Sequence, residues 1–163
     1  MTTWLYVVLT FQLLLVASVD LKQKKISNLW SVFNVIFAAI LWPLGHLGAW
    51  SFQVLLFPVA LIVTGFFLFV FKIMGAGDSK YLAALFFCMP VSLHFIYFEK
   101  LLLSTMLVGS ILLLLKILRD PGTFKSYFLS QHWKGIMGLV KSHFSYAPVM
   151  LLAWLLLGVE LWF

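Results

Sequence analysis

Long apolar stretches alternate with short polar ones along this chain, and the apolar stretches are too continuous for a fold that faces water on one side. They run roughly from Trp4 to Val19, Trp30 to Trp50, Phe52 to Met74, Tyr81 to Phe98, Leu101 to Leu118 and Tyr146 to Trp162. Each approaches the ~20 residues that cross about 30 Å of hydrocarbon. The pattern therefore predicts an all-α integral membrane protein, a bundle of about six transmembrane helices. Only the stretch "GHLGAWS" separates the second run from the third, and only Glu99 and Lys100 separate the fourth from the fifth. Tight turns are expected at both places.

Composition agrees with the pattern. Hydrophobic residues make up 64% of the 163 positions and charged ones 10%, against roughly 45–50% and 25% in soluble domains. No Ser-, Pro- or Gly-rich linker and no internal repeat interrupts the chain, so residues 1–163 are expected to form a single transmembrane domain. The first run lacks a preceding cation and is followed by three lysines. It does not resemble a cleaved secretory signal and is expected to stay on the mature protein.

The cations give an orientation. Lys22, Lys24 and Lys25 follow the first run, Lys72 and Lys80 bracket the turn between the third and fourth, and Arg119, Lys125, Lys134 and Lys141 lie between the fifth and sixth. These are alternate loops, and Lys and Arg accumulate on the cytoplasmic side. Both termini are thus expected outside, with the basic loops inside. The net charge of +6 reads as topology and attraction to anionic lipid. No basic-aromatic motif points to nucleic acid. Within the long inner loop, about 119–144, Trp133, Ile136, Met137, Val140 and Phe144 recur at helical spacing. An interfacial amphipathic helix is expected there, either a surface anchor or a substrate-recognition element. The "RDPG" turn at its start detaches it from the fifth helix.

Five acidic residues occur, and two of them draw attention. Asp20 lies at the inner end of the first helix and Asp78 at the inner start of the fourth, so both are expected at similar depth on one membrane face. Ionisable groups at such a border are costly unless they face the bundle interior or water. Each has a plain structural reading: Asp78 as an N-cap, Asp20 as a solvated acid held by Lys24 at i+4. The flanking residues add more. Gly75 and Gly77 remove two side chains just before Asp78, which allows another backbone to approach closely. Two carboxyls sharing a site repel, so one keeps a proton near neutral pH while the other is ionised. The ionised one accepts a proton from water and the protonated one donates to a scissile carbonyl, a hydrolysis that calls for no metal, thiol or cofactor.

At these residues the chain resembles the type IV prepilin peptidases, membrane aspartic proteases of the GxGD kind. The resemblance rests on Asp20, Ile26 and Asn28 in "DLKQKKISN", on Gly75, Gly77, Asp78 and Lys80 in "GAGDSK", and more softly on Tyr146, Ala147 and Pro148 in "SYAPVMLLA". It covers nearly the whole chain. It implies that Asp20 and Asp78 are the catalytic pair. The implied substrate is a prepilin or pseudopilin, whose short basic leader is removed at the cytoplasmic face of the bacterial inner membrane. Membrane lipids are implied partners, and a homodimer is left open. Lys80 is left with three roles: tuning the acid, binding a lipid phosphate, or holding a substrate carbonyl.

Two departures matter. Ser27 stands where the family often has proline, which predicts a looser turn after Asp20. The larger members carry paired CxxC motifs in a cytoplasmic domain, whereas Cys88 is the single cysteine here, so the chain is similar to the short forms of tight-adherence pilus systems, and methyl transfer is not implied. Cys88 reads as a packing residue. His46, His94, His132 and His143 show no metal spacing. Pro43, Pro58, Pro90 and Pro148 mark candidate kinks. Two other functions fit the same composition: a small proton-coupled transporter built on paired acids, although no chain of polar residues continues outward through the spans, and a non-catalytic pilus or secretion assembly protein. The presenilin-like GxGD branch fits less well, lacking its Tyr-Asp and Pro-Ala-Leu motifs.

Overall fold

The computed structural model describes residues 2–71, 74–119 and 145–162. Among them the chain is all-helical, with no strand. Six helices follow in order: α1 (Thr3–Gln23), α2 (Asn28–Leu41), α3 (Gln53–Val70), α4 (Ala76–Phe87), α5 (Val91–Arg119) and α6 (Ala147–Trp162). Three of them, α1, α3 and α5, are long and apolar enough to cross a membrane. Most of the expected amphipathic segment, from Asp120 onward, lies outside the described residues, as does Lys72.

Local chemistry sets the ends. α1 closes on Lys24, which takes a left-handed conformation (φ 51°) and donates its N–H to the Asp20 carbonyl at 2.7 Å. Ser27 then caps α2, its hydroxyl accepting the Leu29 N–H at 3.3 Å. The residue expected to loosen this turn instead starts the next helix. α2 ends at Leu41, well before Trp50, because a series of turns containing Gly45 and Gly48 at positive φ (73° and 97°) reverses the chain.

One expected boundary is wrong. No turn forms at Glu99 and Lys100; the helix runs through them, and α5 is 29 residues long, about 43 Å. The break falls earlier, at Cys88, Met89 and Pro90. Pro90 has no N–H to continue the helical ladder and constrains the residue before it. His94 reinforces the break: its Nε2–H is shared between the Phe86 carbonyl at 2.9 Å and that of Met89 at 3.1 Å, where α4 ends. Glu99 and Lys100 are tolerated on the helix surface, where Lys100 pairs with Glu160 of α6 at 2.6 Å.

Packing relies on small residues and polar ties, as expected where lipid removes the usual hydrophobic drive between helices. α1 and α6 run antiparallel: Asp20 meets Ala147 at one end, and Tyr6 stacks on Trp154 at the other with rings 5.2 Å apart. The Tyr6 hydroxyl donates to the Trp154 carbonyl at 3.2 Å, and Trp154 Nε1 donates to Thr10 at 2.8 Å. Gly158 leaves the space that the Tyr6 hydroxyl fills. α4 packs between α2 and α3, and Gly65 of α3 admits Ser79 of α4 at a distance no Cβ would allow. Inside the bundle, Gln12 of α1 donates to the Asn34 side chain of α2 at 2.5 Å, and the buried Cys88 thiol donates to the Asn34 carbonyl at 3.2 Å. The interior is therefore more polar than the sequence suggested, with these groups tying α1, α2 and α4 together.

Candidate active site

The ends of α1, α4 and α6 converge, and the sequence motifs lie where they meet. Asp20, in the last turn of α1, is 2% exposed. Its Oδ2 accepts the Ala147 N–H, the first of α6, at 3.1 Å, and its carbonyl accepts the Ser145 hydroxyl at 3.3 Å. An unpartnered N–H at a helix start thus meets a carboxylate, which both hydrogen bonding and the helix dipole favour. Pro148, the second residue of α6, has no N–H to satisfy there.

Asp78 enters from α4. Gly75 takes the extended conformation of an N-cap (φ −72°, ψ 145°), and Asp78, three residues on, accepts its N–H at 3.3 Å. The helix-capping reading of Asp78 is therefore half right: the residue caps from inside the first turn. Gly77 explains the approach of the two motifs. A Cβ there would lie 2.6 Å from the Ile26 carbonyl oxygen, so the backbone after Asp20 passes directly over the first turn of α4. Ile26 itself is buried in the core.

The two acids feel each other. Asp78 lies outside the three long apolar helices and ahead of the apolar run that begins at Tyr81. Asp20 is close enough for its charge to act on the Asp78 carboxyl, which the Gly75 N–H meets from the other side. One proton shared by such a pair near neutral pH is the state in which one member accepts a proton while the other donates one.

Tyr146 completes the cluster, close enough to Asp78 to sense its charge. Its hydroxyl lies 3.2 Å from that of Thr105 in α5. Because Thr105 already donates its only O–H proton to the Leu101 carbonyl at 2.7 Å, Tyr146 is the donor in this pair. Thr105 was missed in the sequence. Its signal was slight, a polar pair at Ser104 and Thr105 inside a run of leucines. Gln12 and Asn34 were missed for the same reason.

Two residues of the motif set have exposed side chains. Asn28 begins α2 with an exposed side chain. Lys80 is exposed too, and it lines a groove formed with α2 and α3. Among the described residues, no group of three His, Cys, Asp or Glu side chains is placed to hold a metal ion.

Fold and site together define a helical protein with three helices able to cross a membrane and two acids gathered at the junction of α1, α4 and α6. No family model matches this chain, and neither a curated protein nor a solved structure does.

Proposed function

We propose that this chain is a membrane aspartyl endopeptidase. Its particular task is to remove the short basic leader from type IV prepilin or pseudopilin precursors at the cytoplasmic face of the bacterial inner membrane. The observation that carries this reading is that Asp20 and Asp78, from two different helices, lie within electrostatic reach of one another with glycine-lined backbone beside them. The proposal includes six membrane crossings with both termini outside. It takes one change from the sequence reading: α4, about 18 Å long, is a short fourth segment, and α5 is a long fifth.

In the proposed reaction the ionised carboxylate removes a proton from water as its oxygen attacks the scissile carbonyl, and the protonated carboxyl donates to the carbonyl oxygen. Collapse of the tetrahedral intermediate breaks the C–N bond. The leaving amine takes a proton, and the leader departs with a new carboxylate. The deciding experiment is co-expression with a candidate prepilin and mass spectrometry of its N-terminus. Loss of the leader supports the reading, and an intact leader beside a membrane-inserted, folded protein overturns it for that substrate.

One further outcome is expected in the same assay with purified protein. Thr105→Val lowers the rate about three- to tenfold by removing the acceptor for the Tyr146 hydroxyl, and Thr105→Ser restores it. Equal rates in Val and Ser would show that Tyr146 needs no such anchor.

A further inference from the structure

Beside α4, on the side away from the acids, α2 and α3 leave a groove of about 290 Å³. Its floor is a stripe of α4 in which Lys80, Ala83 and Ala84 recur at i, i+3 and i+4. Val35, Ile36 and Ile62 form walls that are about half exposed. Asp78 precedes Lys80 by two residues, about 200° around the helix. What binds in the groove therefore does not meet the carboxylate pair, and the two sites are separated by the body of α4.

The groove is apolar along its length and cationic at one end. Lys80 stands in the second turn of α4, at the end of the bundle where the Ile26 backbone crosses Gly77 and where Lys22, Lys24 and Lys25 are also exposed. Among the described residues no acid pairs with it. A long stem along an apolar surface with its ammonium at the rim is the arrangement by which lysine reaches a membrane interface. The lining decides the kind of occupant. Walls of valine and isoleucine accept a hydrocarbon chain, and the ammonium at the rim is complementary to an anionic head group.

We infer that this groove binds one acyl chain of an anionic phospholipid whose head-group phosphate is held by Lys80. The inference is independent of the peptidase reading and requires only that these helices lie in a bilayer. Its floor explains the small residues: Ala83 and Ala84 keep the space open between the walls of α2 and α3. It also gives Lys80 a role that its position permits, since it faces away from Asp78.

The test uses the full chain, purified and exchanged into an equal mixture of phosphatidylglycerol and phosphatidylcholine with identical acyl chains, with retained lipid read by native mass spectrometry. Wild type is expected to retain the anionic lipid roughly five-fold over the neutral one, the size expected for one lysine against an anionic head group. Lys80→Gln should bring the two lipids to parity, and Lys24→Gln should leave the preference intact. Ala84→Phe, which fills the groove, should lower retention of both. Parity in wild type, or a preference that Lys80→Gln leaves unchanged, overturns the inference. So does a photoreactive group at Ile62 that captures a second copy of the chain instead of lipid. Lys80→Gln alters only an exposed side chain, so the result does not depend on whether Ala84→Phe folds.

Discussion

Asp20→Asn and Asp78→Asn are each expected to stop the proposed leader removal from a co-expressed prepilin, by at least about 100-fold, while the protein accumulates in membranes at the wild-type level. The magnitude follows from general acid and base contributions of roughly 10²–10⁴ each. The unchanged level follows from local geometry. Asp20 uses one oxygen to accept the Ala147 N–H, and Asp78 uses one to accept the Gly75 N–H. The amide oxygen of asparagine accepts the same bonds, so both helix starts remain capped. What asparagine cannot do is take a proton from water or give up an acidic one. The substitutions thus separate the chemistry of the pair from its structural duties, and the mass of the pilin N-terminus reports which one was lost.

The outcome also sorts the competing functions. An assembly protein without catalysis tolerates both substitutions, because the caps survive. A proton-coupled transporter does not tolerate them, yet it leaves the pilin leader untouched in wild type as well. The buried polar groups of the interior favour neither: Gln12 is engaged by Asn34 and the Cys88 thiol by the Asn34 carbonyl, ties that hold helices to one another.

Helix existence was legible from the sequence because runs of apolar residues near 20 long have few other uses. Helix ends were less so. The turn expected at Glu99 and Lys100 rested on two charges in an apolar run, but a charge does not break a helix when its side chain reaches a partner, as Lys100 reaches Glu160. Pro90, which removes a donor outright, was the stronger signal. The acids and glycines of the site were visible because acids are rare in such a chain and two glycines flank one of them. Thr105 was not, because nothing in a run of leucines shows which hydroxyl will face α6. Asn28 and Lys80 carried a motif resemblance that spacing alone could not resolve into a direction. On a helix, the step of two positions from Asp78 to Lys80 is enough to turn a side chain to the opposite face.

The second large effect belongs to Gly77, and the other glycines supply its controls. Gly77→Ala is expected to lower leader cleavage by about 100-fold, comparable to a 1 Å misplacement of catalytic groups. Alanine is ordinarily the better helix former by about 1 kcal/mol, so propensity alone predicts no loss. The loss comes from contact: the new Cβ falls 2.6 Å from the Ile26 carbonyl oxygen, a backbone atom that cannot swing aside. Either the chain following Asp20 lifts or the first turn of α4 withdraws, and in both cases the carboxyls separate. Gly75→Ala should do less, since its Cβ meets Asp78 Oδ2 at 3.0 Å, the end of a side chain that can rotate. Gly109→Ala should leave cleavage unchanged, because nothing lies within 4 Å of a Cβ there. The order Gly77, then Gly75, then Gly109 is the signature of a site held together by the crossing of two backbones. If Gly77→Ala cuts at the wild-type rate, that crossing does not set the distance between the acids, and the catalytic geometry argued from it fails.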